Sequence, residues 1–558
     1  MEKYTWKKKP LPFSNFLKME EYYFKDFSGP LTISKNYKIK DLDKAKEIIE
    51  LFLNQPIRIV GDYDVDGDMG TSEGVLLLNA MGAKDVKYYI PKRISDGYGI
   101  SKKIIDNFLG ETTPGLLITI DNGISAIEAI QYAKSLGWQV LIIDHHLAAI
   151  DNNGNTILPD ADVIIDPNAI PGSASFTDYC AAGLIYKLAQ YIEIDSDILS
   201  KINTMAAIAT IADCVNLMTE VNGSIRYDNY IIVKEGLHTA MQNEGRTTGL
   251  YCLLRALNKD IKLEASDISF TIGPVINALS RLNDDGASHV VKLLLTDGAK
   301  FNECDAMAQE MITANDTRKE LTRLAIPLLK EKIEIGNMQD DYPIVVSGQM
   351  HPGLAGLIAG KLEEEYNTAV VVLVENEDNE ILHGSARAPV GTNIKEILDN
   401  CAEYLESYGG HAQAAGLAVR LDKLDEFRKA AQKAAGKKPD NLLDRYYDFE
   451  ISTKDIKDNL SILSKYQPFG IGHKAPIFKI KNFISKKKFG EFYKVMGAEK
   501  NTIKIYGLYA DAMNFSGQGV EKYQELGNPL RFNLYGKLTV NSWNGKDENQ
   551  IHFQDMDV

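Results

Sequence analysis

The sequence predicts an α/β protein whose first third folds as a doubly wound, largely parallel β-sheet. Two segments of helical periodicity, Ser101–Phe108 and Ala126–Leu136, alternate there with short apolar runs. Buried apolar strands that alternate with helices are typical of a parallel sheet covered on both faces. Five runs are predicted as such strands: Ile57–Val60, Val86–Ile90, Leu116–Ile120, Val140–Ile143 and Val163–Ile165.

A helical connector and a second α/β region are predicted after the first sheet. Residues 199–332 contain few strand-like runs, and Phe301–Lys332 is predicted as one long helix. The next α/β pattern begins near Asp341. It consists of strands over Pro343–Val346 and Ala369–Val374 and a helix over Leu354–Tyr366.

The last part of the chain suits a small β-barrel. Lys437-Lys438-Pro439-Asp440 indicates a domain boundary, and the sequence beyond it is rich in strand-like and aromatic segments. Asn544-Gly545 is typical of a two-residue hairpin turn. Lysines alternate with aromatic residues over Lys474–Lys494, which in an OB-like barrel predicts nucleic-acid contact as readily as a solvated face.

The composition is that of a globular protein, with 44% hydrophobic and 25% charged residues in a chain of 558. No apolar run approaches the roughly 18 residues of a membrane span, and the N-terminus lacks the apolar stretch of a secretory signal. The five cysteines lie far apart and form no Cys-x-x-Cys pair, so neither a disulfide framework nor a zinc ribbon is expected. These features predict a cytoplasmic protein of two to four domains.

The net charge of −15 is unusual for an enzyme that acts on nucleic acid. Acids in a metal site would account for part of it, because bound cations reverse the local charge.

An aspartate-rich segment directly follows the first predicted strand. Asp62, Asp64 and Asp66 occupy alternate positions, and carboxylates so close together raise one another's pKa unless a cation is bound. A solvated turn and a calcium-binding loop remain alternatives, since Gly67 and Glu73 match the loop's glycine and its twelfth position. The calcium loop is flanked by helices, however, whereas this segment follows a buried strand.

Two further strand ends carry metal-ligating side chains. Asp121 follows Leu116–Ile120, and Asp144-His145-His146 follows Val140–Ile143. Because ligands of such sheets bind at the carboxyl ends of the strands, these groups are expected to converge. Carboxylates with imidazoles and without thiolates favour Mn²⁺ or Mg²⁺. Two such ions suit phosphoester hydrolysis, and the chain has no Walker A loop or Gly-x-Ser-x-Gly elbow.

These motifs resemble those of the DHH phosphoesterase superfamily, and in particular those of the bacterial RecJ exonucleases. Asp144-His145-His146 is the tripeptide that names the superfamily. The first, second and fourth family motifs are matched by Asp62-Tyr63-Asp64-Val65-Asp66-Gly67, Asp121-Asn122-Gly123-Ile124-Ser125 and Ala212-Asp213-Cys214-Val215.

Later segments extend the resemblance over about residues 40–558. The chain departs from the usual family pattern at Asp68, Pro352 and Ala388, which leaves every expected metal ligand in place. RecJ-like stretches occur at Ile90–Arg93, Asp96–Gly99 and Ile272–Leu282. Similar to the DHHA1 domain are His351–Gly356, Gly384–Arg387 and Gly409–Gly416, and similar to the RecJ OB-fold are Gln467–His473 and Val540–Gly545.

The resemblance implies five parts in the chain. They are an N-terminal extension (1–40), a doubly wound parallel-sheet DHH catalytic domain (41–250), a helical connector (251–340), an α/β DHHA1 substrate-binding domain (341–438) and a C-terminal β-barrel of the OB-fold type (439–558).

The resemblance also implies the roles of individual residues. His146 is expected beside the scissile phosphate, with Asp144 and Asp64 in the same catalytic set. A positioning role is the alternative for His146. Two ions, Mn²⁺ or Mg²⁺, are expected to be held by Asp62, Asp64, Asp66, Asp121, His145 and Asp213.

A 5′-phosphate grip is implied as well, and with it 5′→3′ polarity. Arg281, Ser385 and Arg387 are expected to form it, and an interdomain salt bridge is the alternative for Arg281. Ser385 and Arg387 would lie on the same side of an extended segment. Further substrate contacts are expected from Arg93, Tyr98, Asn277 and His411.

The expected function is that of a monomeric, single-stranded-DNA-specific 5′→3′ exonuclease that releases mononucleotides in DNA repair or recombination. Single-stranded DNA is the expected partner, together with a single-strand-binding protein or a helicase. No association with a membrane is expected. One alternative is another DHH enzyme: an oligoribonuclease, a cyclic-dinucleotide phosphodiesterase or an inorganic pyrophosphatase. The other is a catalytically silent DNA-binding replication factor. The OB-like part favours a polymeric substrate, and the intact set of carboxylates favours an enzyme.

Overall fold

A computed structural model describes residues 5–9, 38–110, 112–151, 154–222, 224–375, 380–438, 444–497, 500–543 and 546–558. These residues form two compact units. The first is drawn from 33–221 and 226–442, and the second from 1–32, 222–225 and 443–558. None of the helices in the described residues combines the length and apolar character that a membrane span requires.

The first unit begins with the predicted parallel sheet, which is confirmed. Strand β1 (Thr5–Lys8) belongs to the second unit. The strands of the first sheet are ordered β3-β2-β4-β5-β8, and every neighbouring pair is parallel. The elements are α1 (Leu42–Phe52), β2 (Pro56–Val60), α2 (Val65–Ala80), β3 (Asp85–Tyr89), α3 (Lys102–Leu109), β4 (Leu116–Ile120), α4 (Ile127–Ser135), β5 (Gln139–Ile143), β6 (Ala149–Ile150), β7 (Thr156–Ile157) and β8 (Val163–Ile165).

Both faces of this sheet are buried. All five residues of β4 are buried. Leu116, Ile118 and Ile120 belong to the apolar cluster on one face, and Leu117 belongs to the cluster on the other face, with Trp138. Strand β3 lies on one side of β2, whereas β4, β5 and β8 follow one another on the other side, so the strand order reverses between β2 and β4. Sheets of this kind bind ligands at the position where the strand order reverses.

A mostly helical region follows, as predicted. It includes a π-helical turn (Ile268–Ile272) directly before the helix over Gly273–Leu282. The elements are α5 (Ala181–Ile192), α6 (Ser196–Ala212), β9 (Thr219–Val221), β10 (Ser224–Arg226), α7 (Asp228–Thr239), α8 (Thr248–Ala256), α9 (Ala265–Asp267), α10 (Gly273–Leu282), α11 (Gly286–Leu295) and α12 (Phe301–Ile335). Helix α12 is the predicted long helix, extended by three residues.

A second sheet completes the first unit and confirms the predicted second α/β region. Its order is β11-β12-β13-β15-β14, with one parallel pair, β11 and β12, and antiparallel pairs elsewhere. The elements are β11 (Ile344–Gly348), α13 (Ala355–Tyr366), β12 (Val370–Val374), β13 (Ile381–Arg387), α14 (Ile394–Asp399), β14 (Leu405–Gly410), β15 (Ala414–Arg420) and α15 (Leu424–Ala435).

The second unit is rich in strands, as predicted. Strand β1 pairs with β16 (Asp444–Tyr447), and a seven-stranded sheet of order β17-β18-β22-β23-β21-β20-β19 surrounds one apolar core. The remaining elements are β17 (Phe449–Ser452), α16 (Ile456–Leu463), β18 (Phe478–Ile484), β19 (Tyr493–Met496), β20 (Thr502–Ile505), β21 (Asp511–Asn514), α17 (Gly517–Glu525), β22 (Arg531–Trp543) and β23 (Lys546–Asp557).

Some predicted features lie outside the described residues. They include most of the N-terminal extension, Pro439-Asp440 of the predicted boundary and the predicted turn Asn544-Gly545. Strands β22 and β23 flank that turn and are antiparallel.

Replacing Leu117 with Ala should lower the free energy of unfolding of the first unit by about 2–5 kcal/mol, because it leaves a cavity in a fully buried strand. Leu51→Ala, at a position 73% exposed, should change it by less than about 0.5 kcal/mol. Urea unfolding followed by the fluorescence of Trp138, which packs in the same cluster as Leu117, measures both. Equal losses in the two variants would contradict the buried position of β4.

Candidate active site

Acidic and imidazole side chains converge at the carboxyl edge of the first sheet. Asp62 follows β2, Asp121 follows β4, and Asp144-His145-His146 follow β5. Two helix ends face the same point, since Asp64 and Asp66 begin α2 and Asp213 caps the end of α6. All of these residues were predicted as site residues.

The ligand atoms are close enough to share cations. His145 Nε2 lies 3.1 Å from Asp121 Oδ1 and 3.7 Å from both Asp66 Oδ2 and Asp213 Oδ2. Three groups have their ligand atoms within 4.8 Å of one another: Asp66, His145 and Asp213; Asp121, His145 and His146; and Asp62, Asp64 and Asp121. The groups overlap at Asp121 and His145, an arrangement suited to neighbouring cations.

Backbone amides fix the two aspartates at the start of α2. Asp64 is the N-cap, and its Oδ1 accepts hydrogen bonds from the backbone N–H groups of Asp66 (3.0 Å) and Gly67 (3.2 Å). Asp66 accepts from the backbone N–H groups of Ala181 (2.7 Å) and Ala182 (2.9 Å) at the start of α5. Both carboxylates therefore occupy helix N-termini, which favour negative charge.

Gly67 allows the aspartate-rich segment to close tightly. A Cβ atom at this position would lie 2.4 Å from the backbone oxygen of Asp62. The calcium-loop alternative is wrong, because residues 65–80 form one helix and Glu73 is fully buried inside it.

Asn122 braces the strand ends against one another. Its Nδ2 lies 2.9–3.1 Å from three backbone carbonyls at the ends of β2 and β4. Its Oδ1 accepts a hydrogen bond from the backbone N–H of Ile100 at 3.1 Å. The preceding Asp121 has a φ of +62°, a left-handed conformation that aspartate tolerates better than most residues. The spacing of the carboxylates is thus set by buried backbone contacts.

Crowding and burial disfavour negative charge on several of the acids. Burial raises the pKa of Asp62, Asp121 and Asp213 well above the usual range, and neighbouring carboxylates raise it further. Oδ1 of Asp62 is buried and has no hydrogen-bond partner among the described residues. A divalent cation would relieve both conditions, so the donor set fits hard metal ions.

The surroundings of the two histidines shift their pKa values in opposite directions. Burial lowers the pKa of His145, which favours the neutral imidazole that binds metals. Burial would also lower the pKa of His146, but its hydrogen bond to Asp144 outweighs this effect and raises it to about 9.

Both carboxylate oxygens of Asp144 accept hydrogen bonds. Its Oδ1 accepts from the backbone N–H of His145 (2.7 Å) and lies 2.8 Å from His146 Nδ1, and its Oδ2 accepts from the backbone N–H of Ile124 (3.0 Å). Burial would raise the pKa of Asp144, but His146 and His145 hold it below the usual value. Asp144 therefore contacts both histidines and belongs to none of the three groups that could hold a cation.

Sequence reasoning missed Asp166, which follows β8. Its Oδ1 accepts from the backbone N–H groups of Asn168 and Ala169, both at 2.9 Å. The Asn168 side chain in turn donates to the backbone carbonyl of His145 at 2.7 Å. The other oxygen of Asp166 is buried without a hydrogen-bond partner in the described residues, and burial raises its pKa to about 8. An aspartate directly after a predicted strand was the available signal.

The predicted substrate residues Tyr98 and Arg93 lie next to these groups. The Tyr98 hydroxyl donates to the backbone carbonyl of Asp121 at 2.8 Å and lies 3.2 Å from His146 Nδ1. The guanidinium carbon of Arg93 lies 4.1 Å from the centre of the Tyr63 ring. Asn277, on α10, has a buried side-chain oxygen with no hydrogen-bond partner in the described residues.

Three predicted phosphate contacts are brought together. Arg281 Nη1 donates to the backbone carbonyl of Gly353 at 3.2 Å. A Cβ atom on Gly356 would lie 2.9 Å from Arg387 Nη2 and 3.4 Å from Ser385 Oγ, so these two side chains share one side of β13, as predicted.

The guanidinium groups here repel one another. Burial, followed by the charge of Arg93, lowers the pKa of Arg281 to about 9, and the charges of Arg318 and Arg387 contribute. His411 lies at the exposed turn between β14 and β15, where its backbone N–H donates to Ala414. No hydrogen bond of the described residues connects the His411 side chain to the arginines.

Three family models match consecutive parts of the chain. The N-terminal domain of the DHH family matches residues 56–215, the DHHA1 domain residues 341–437 and the RecJ OB domain residues 447–555. Two solved structures share the fold. Manganese-bound RecJ from Thermus thermophilus has a TM-score of 0.75 and 24% identity, covering 95% of this chain and 73% of that chain. Another exonuclease RecJ bound to manganese has a TM-score of 0.59 and 27% identity, covering 74% and 98%.

Two relatives by sequence are also named RecJ, like the two solved structures. The single-stranded-DNA-specific exonuclease RecJ of Bacillus subtilis is 27% identical over 535 residues, which cover 94% of this chain and 64% of the relative's length. The one of Escherichia coli K12 is 30% identical over 417 residues, which cover 70% of this chain and 68% of the relative. The domain matches and the identity over most of both proteins show that the chain belongs to the RecJ family.

Proposed function

We propose that the protein is a metal-dependent 5′→3′ exonuclease specific for single-stranded DNA, which releases mononucleotides during DNA repair or recombination. The observation that carries this proposal is the overlap of three cation-binding groups at one sheet edge. The named activity of the RecJ relatives supports the substrate.

Two divalent ions, Mn²⁺ or Mg²⁺, would be held by Asp62, Asp64, Asp66, Asp121, His145 and Asp213. When bound, such a pair lowers the pKa of a water molecule and neutralises charge that develops on the phosphoryl group. The T. thermophilus RecJ that shares this fold was solved in complex with Mn²⁺, which supports the choice of metal.

His146 would act on the scissile phosphate. It is half-buried, its Nδ1 lies 2.8 Å from Asp144 Oδ1, and the Tyr98 hydroxyl lies 3.2 Å from Nδ1 and 3.3 Å from Nε2. A protonated His146 can donate to a phosphate oxygen or to the leaving oxygen. Asp144 would act as a positioning residue for it.

Asp166 would position His145 through Asn168. Because Asn168 binds the backbone carbonyl of His145, the turn held by Asp166 supports the strand end from which the imidazole projects. Contacts of this kind orient metal ligands and tune their affinity.

The arginines would determine polarity. None of the ion pairs within the described residues involves Arg93, Arg281 or Arg387. Half-buried guanidinium groups that form no ion pair within the described residues suit a doubly charged terminal phosphate, with Ser385 as a further donor. Such a grip beside the metal site would place the first phosphodiester of a 5′-phosphorylated strand at the cations.

Other predicted contacts and partners belong to the same proposal. Arg93 and Tyr98 would contact the bases near the cut, and Asn277 and His411 would contact the backbone. Tyr63, which was not predicted, would join them because Arg93 packs on its ring. The monomeric state, the cytoplasmic location, the domain boundaries and an interaction with a single-strand-binding protein or a helicase remain predictions. A small-molecule DHH phosphodiesterase is disfavoured by the match of the C-terminal residues to the RecJ OB domain.

His145→Ala should lower Mn²⁺-dependent release of mononucleotides about a thousandfold, roughly 4 kcal/mol, because it removes an imidazole shared by two cation groups. Affinity for single-stranded DNA in EDTA should stay within a few-fold of the original. The matched control is His238→Ala, on the exposed side of α7, which should leave both quantities unchanged. Full turnover in the His145 variant would remove this residue from the metal site.

Asp166→Asn should make the metal-free protein more stable at pH 8. Because the pKa of Asp166 is raised to about 8 in the fold, the folded state retains a proton that the unfolded state loses above about pH 4. Stability from this group is therefore present below pH 4 and is lost as the pH rises to 8. The asparagine side chain keeps the acceptor for Asn168 and Ala169 but cannot ionise.

Thermal unfolding in EDTA between pH 4 and 8 measures this effect. The Asp166→Asn substitution should flatten the pH dependence and stabilise the protein by about 1–3 kcal/mol at pH 8. Asp160→Asn, at an exposed position of the same segment, is the control. A variant that is less stable than the original at pH 8 would contradict a protonated Asp166.

Arg281→Gln should reduce the preference for a 5′-phosphorylated strand over a 5′-hydroxyl strand by about tenfold to a hundredfold, because a charge-assisted contact is lost. Initial rates on the two oligonucleotides measure the ratio. The exposed Arg323, which pairs with Glu320 on α12, provides the control Arg323→Gln. An unchanged ratio with an overall loss of activity would favour an interdomain structural role for Arg281.

A further inference from the structure

The loop between β3 and α3 carries two of the predicted substrate residues, Arg93 and Tyr98. The second half of this loop is fixed to the strand ends of the first sheet. The Tyr98 hydroxyl donates to the backbone carbonyl of Asp121 at 2.8 Å. The backbone N–H of Ile100 donates to Asn122 Oδ1 at 3.1 Å. The position of Tyr98 is therefore set by the sheet edge that carries the predicted metal ligands.

The first half of the loop is fixed by a different part of the chain. The backbone N–H of Ile94 donates to Asp284 Oδ1 at 3.0 Å. Lys92 Nζ lies 2.9 Å from Asp285 Oδ1. Both acids belong to the short connection between α10 and α11. The two contacts thus lie on either side of Arg93 in the sequence.

These contacts bring two positive charges together. Arg281 lies in the last turn of α10, just before the connection. Burial raises the pKa of Tyr63 to about 12, and the charges of Arg93 and Arg281 both act against this rise, so both guanidinium groups lie near the Tyr63 side chain. Because like charges repel at short range, the loop would move Arg93 away from Arg281 unless it were held.

The two contacts differ in how firmly they hold the loop. The side chains of Lys92 and Asp285 are 38% and 61% exposed, and an exposed ion pair between flexible side chains contributes little. Asp284 is more buried than Asp285, and it accepts from a backbone N–H directly next to Arg93. The hydrogen bond of Asp284 therefore fixes the loop backbone from which the Arg93 side chain projects.

We propose that Asp284 is a positioning residue that holds Arg93 beside Arg281, so that the two guanidinium groups form one site for a terminal 5′-phosphate. By its charge alone, a carboxylate close to an anion site would weaken the binding of phosphate. Its hydrogen bond to the loop gives a physical reason for an acid at this position. The inference rests on the proposed function and deepens it, because it assigns a residue to the selection of the 5′ end.

Binding of oligo-dT to the full chain in EDTA tests the proposal. The measured quantity is the ratio of the affinities for a 5′-phosphorylated and a 5′-hydroxyl strand, each followed by the anisotropy of a 3′ fluorophore. Asp284→Ala should lower this ratio about fivefold, because the hydrogen bond that orders the loop is lost. If charge alone mattered, removal of the carboxylate would raise the ratio. An unchanged or raised ratio would overturn the proposal.

Asp284→Asn is the conservative variant. Its amide oxygen can still accept from the backbone N–H of Ile94, so the ratio should stay within about twofold of the original. Asp195→Ala is the matched control, because it also removes a carboxylate that accepts from backbone N–H groups, at the start of α6. It should leave the ratio unchanged. A loss in Asp284→Asn as large as that in Asp284→Ala would contradict a role through the hydrogen bond.

A double-mutant cycle measures whether Asp284 acts through Arg93. In an Arg93→Gln background, Asp284→Ala should change the ratio by less than about twofold, because the guanidinium group that it positions is absent. A further loss of the full size would overturn the proposal. With Mn²⁺, Asp284→Ala should raise the KM for the 5′-phosphorylated strand while kcat stays within about twofold, since Tyr98 and the metal ligands keep their own contacts.

Limited digestion with trypsin in the absence of DNA measures the hold on the loop independently of any nuclease activity. Release of the loop exposes the peptide bond after Arg93, so Asp284→Ala should be cut there several times faster than the original protein or Asp284→Asn. Equal rates of cutting in all three proteins would overturn the proposal. Cleavage of single-stranded DNA by the unmodified protein with Mn²⁺ is scored separately, so failure of the nuclease assignment is distinguishable from failure of this inference.

Discussion

The mutual repulsion of buried carboxylates at one edge of the first sheet is the constraint on which the site depends. Asp62, Asp121 and Asp213 are each driven toward the protonated form by burial and by one another. Such a cluster destabilises the metal-free folded state. The carboxylates stay close together only where the surrounding structure holds them in place. Here the enforcement comes from the buried amide of Asn122 and from the N-terminus of α5, which holds Asp66. The sheet and its helices thus maintain an arrangement of carboxylates that a bound cation would stabilise in the ionised form.

Much of this could be predicted from the sequence, because parallel strands bring their carboxyl ends to one edge. The positions of Asp62, Asp121 and His145 can be predicted because each residue lies just after one of three apolar strands. Asp213 caps a helix distant in sequence, and no periodicity places it beside the others. Only the resemblance to known motifs pointed to it. Asp166 follows β8 as Asp121 follows β4, so the strand-end rule applies to both residues.

Other features could not be predicted, because they depend on tertiary packing. Phe478, Phe483 and Phe489 have the same lysine-rich neighbourhood in sequence, yet two are core residues and one is 90% exposed. The difference arises where the strand ends and the tight turn begins, a boundary that alternation alone does not mark. The contacts of Asp144 also depend on packing. Its carboxylate oxygens accept from the backbone N–H groups of His145 and Ile124 and lie beside His146, while its expected place in the catalytic set stays a prediction.

Two opposite electrostatic imbalances meet in the first unit. The carboxylates at the sheet edge need cations, and the arginines near Gly353 and Gly356 need an anion, as the lowered pKa of Arg281 indicates. A phosphodiester strand with divalent ions would satisfy both, since its terminal phosphate neutralises the guanidinium groups while the ions neutralise the acids. Such paired neutralisation would allow a chain of net charge −15 to bind a polyanion. Binding of metal and of DNA should therefore reinforce each other. The cations reduce the repulsion between the carboxylates and the phosphates of DNA, and the terminal phosphate reduces the repulsion between the guanidinium groups and the cations.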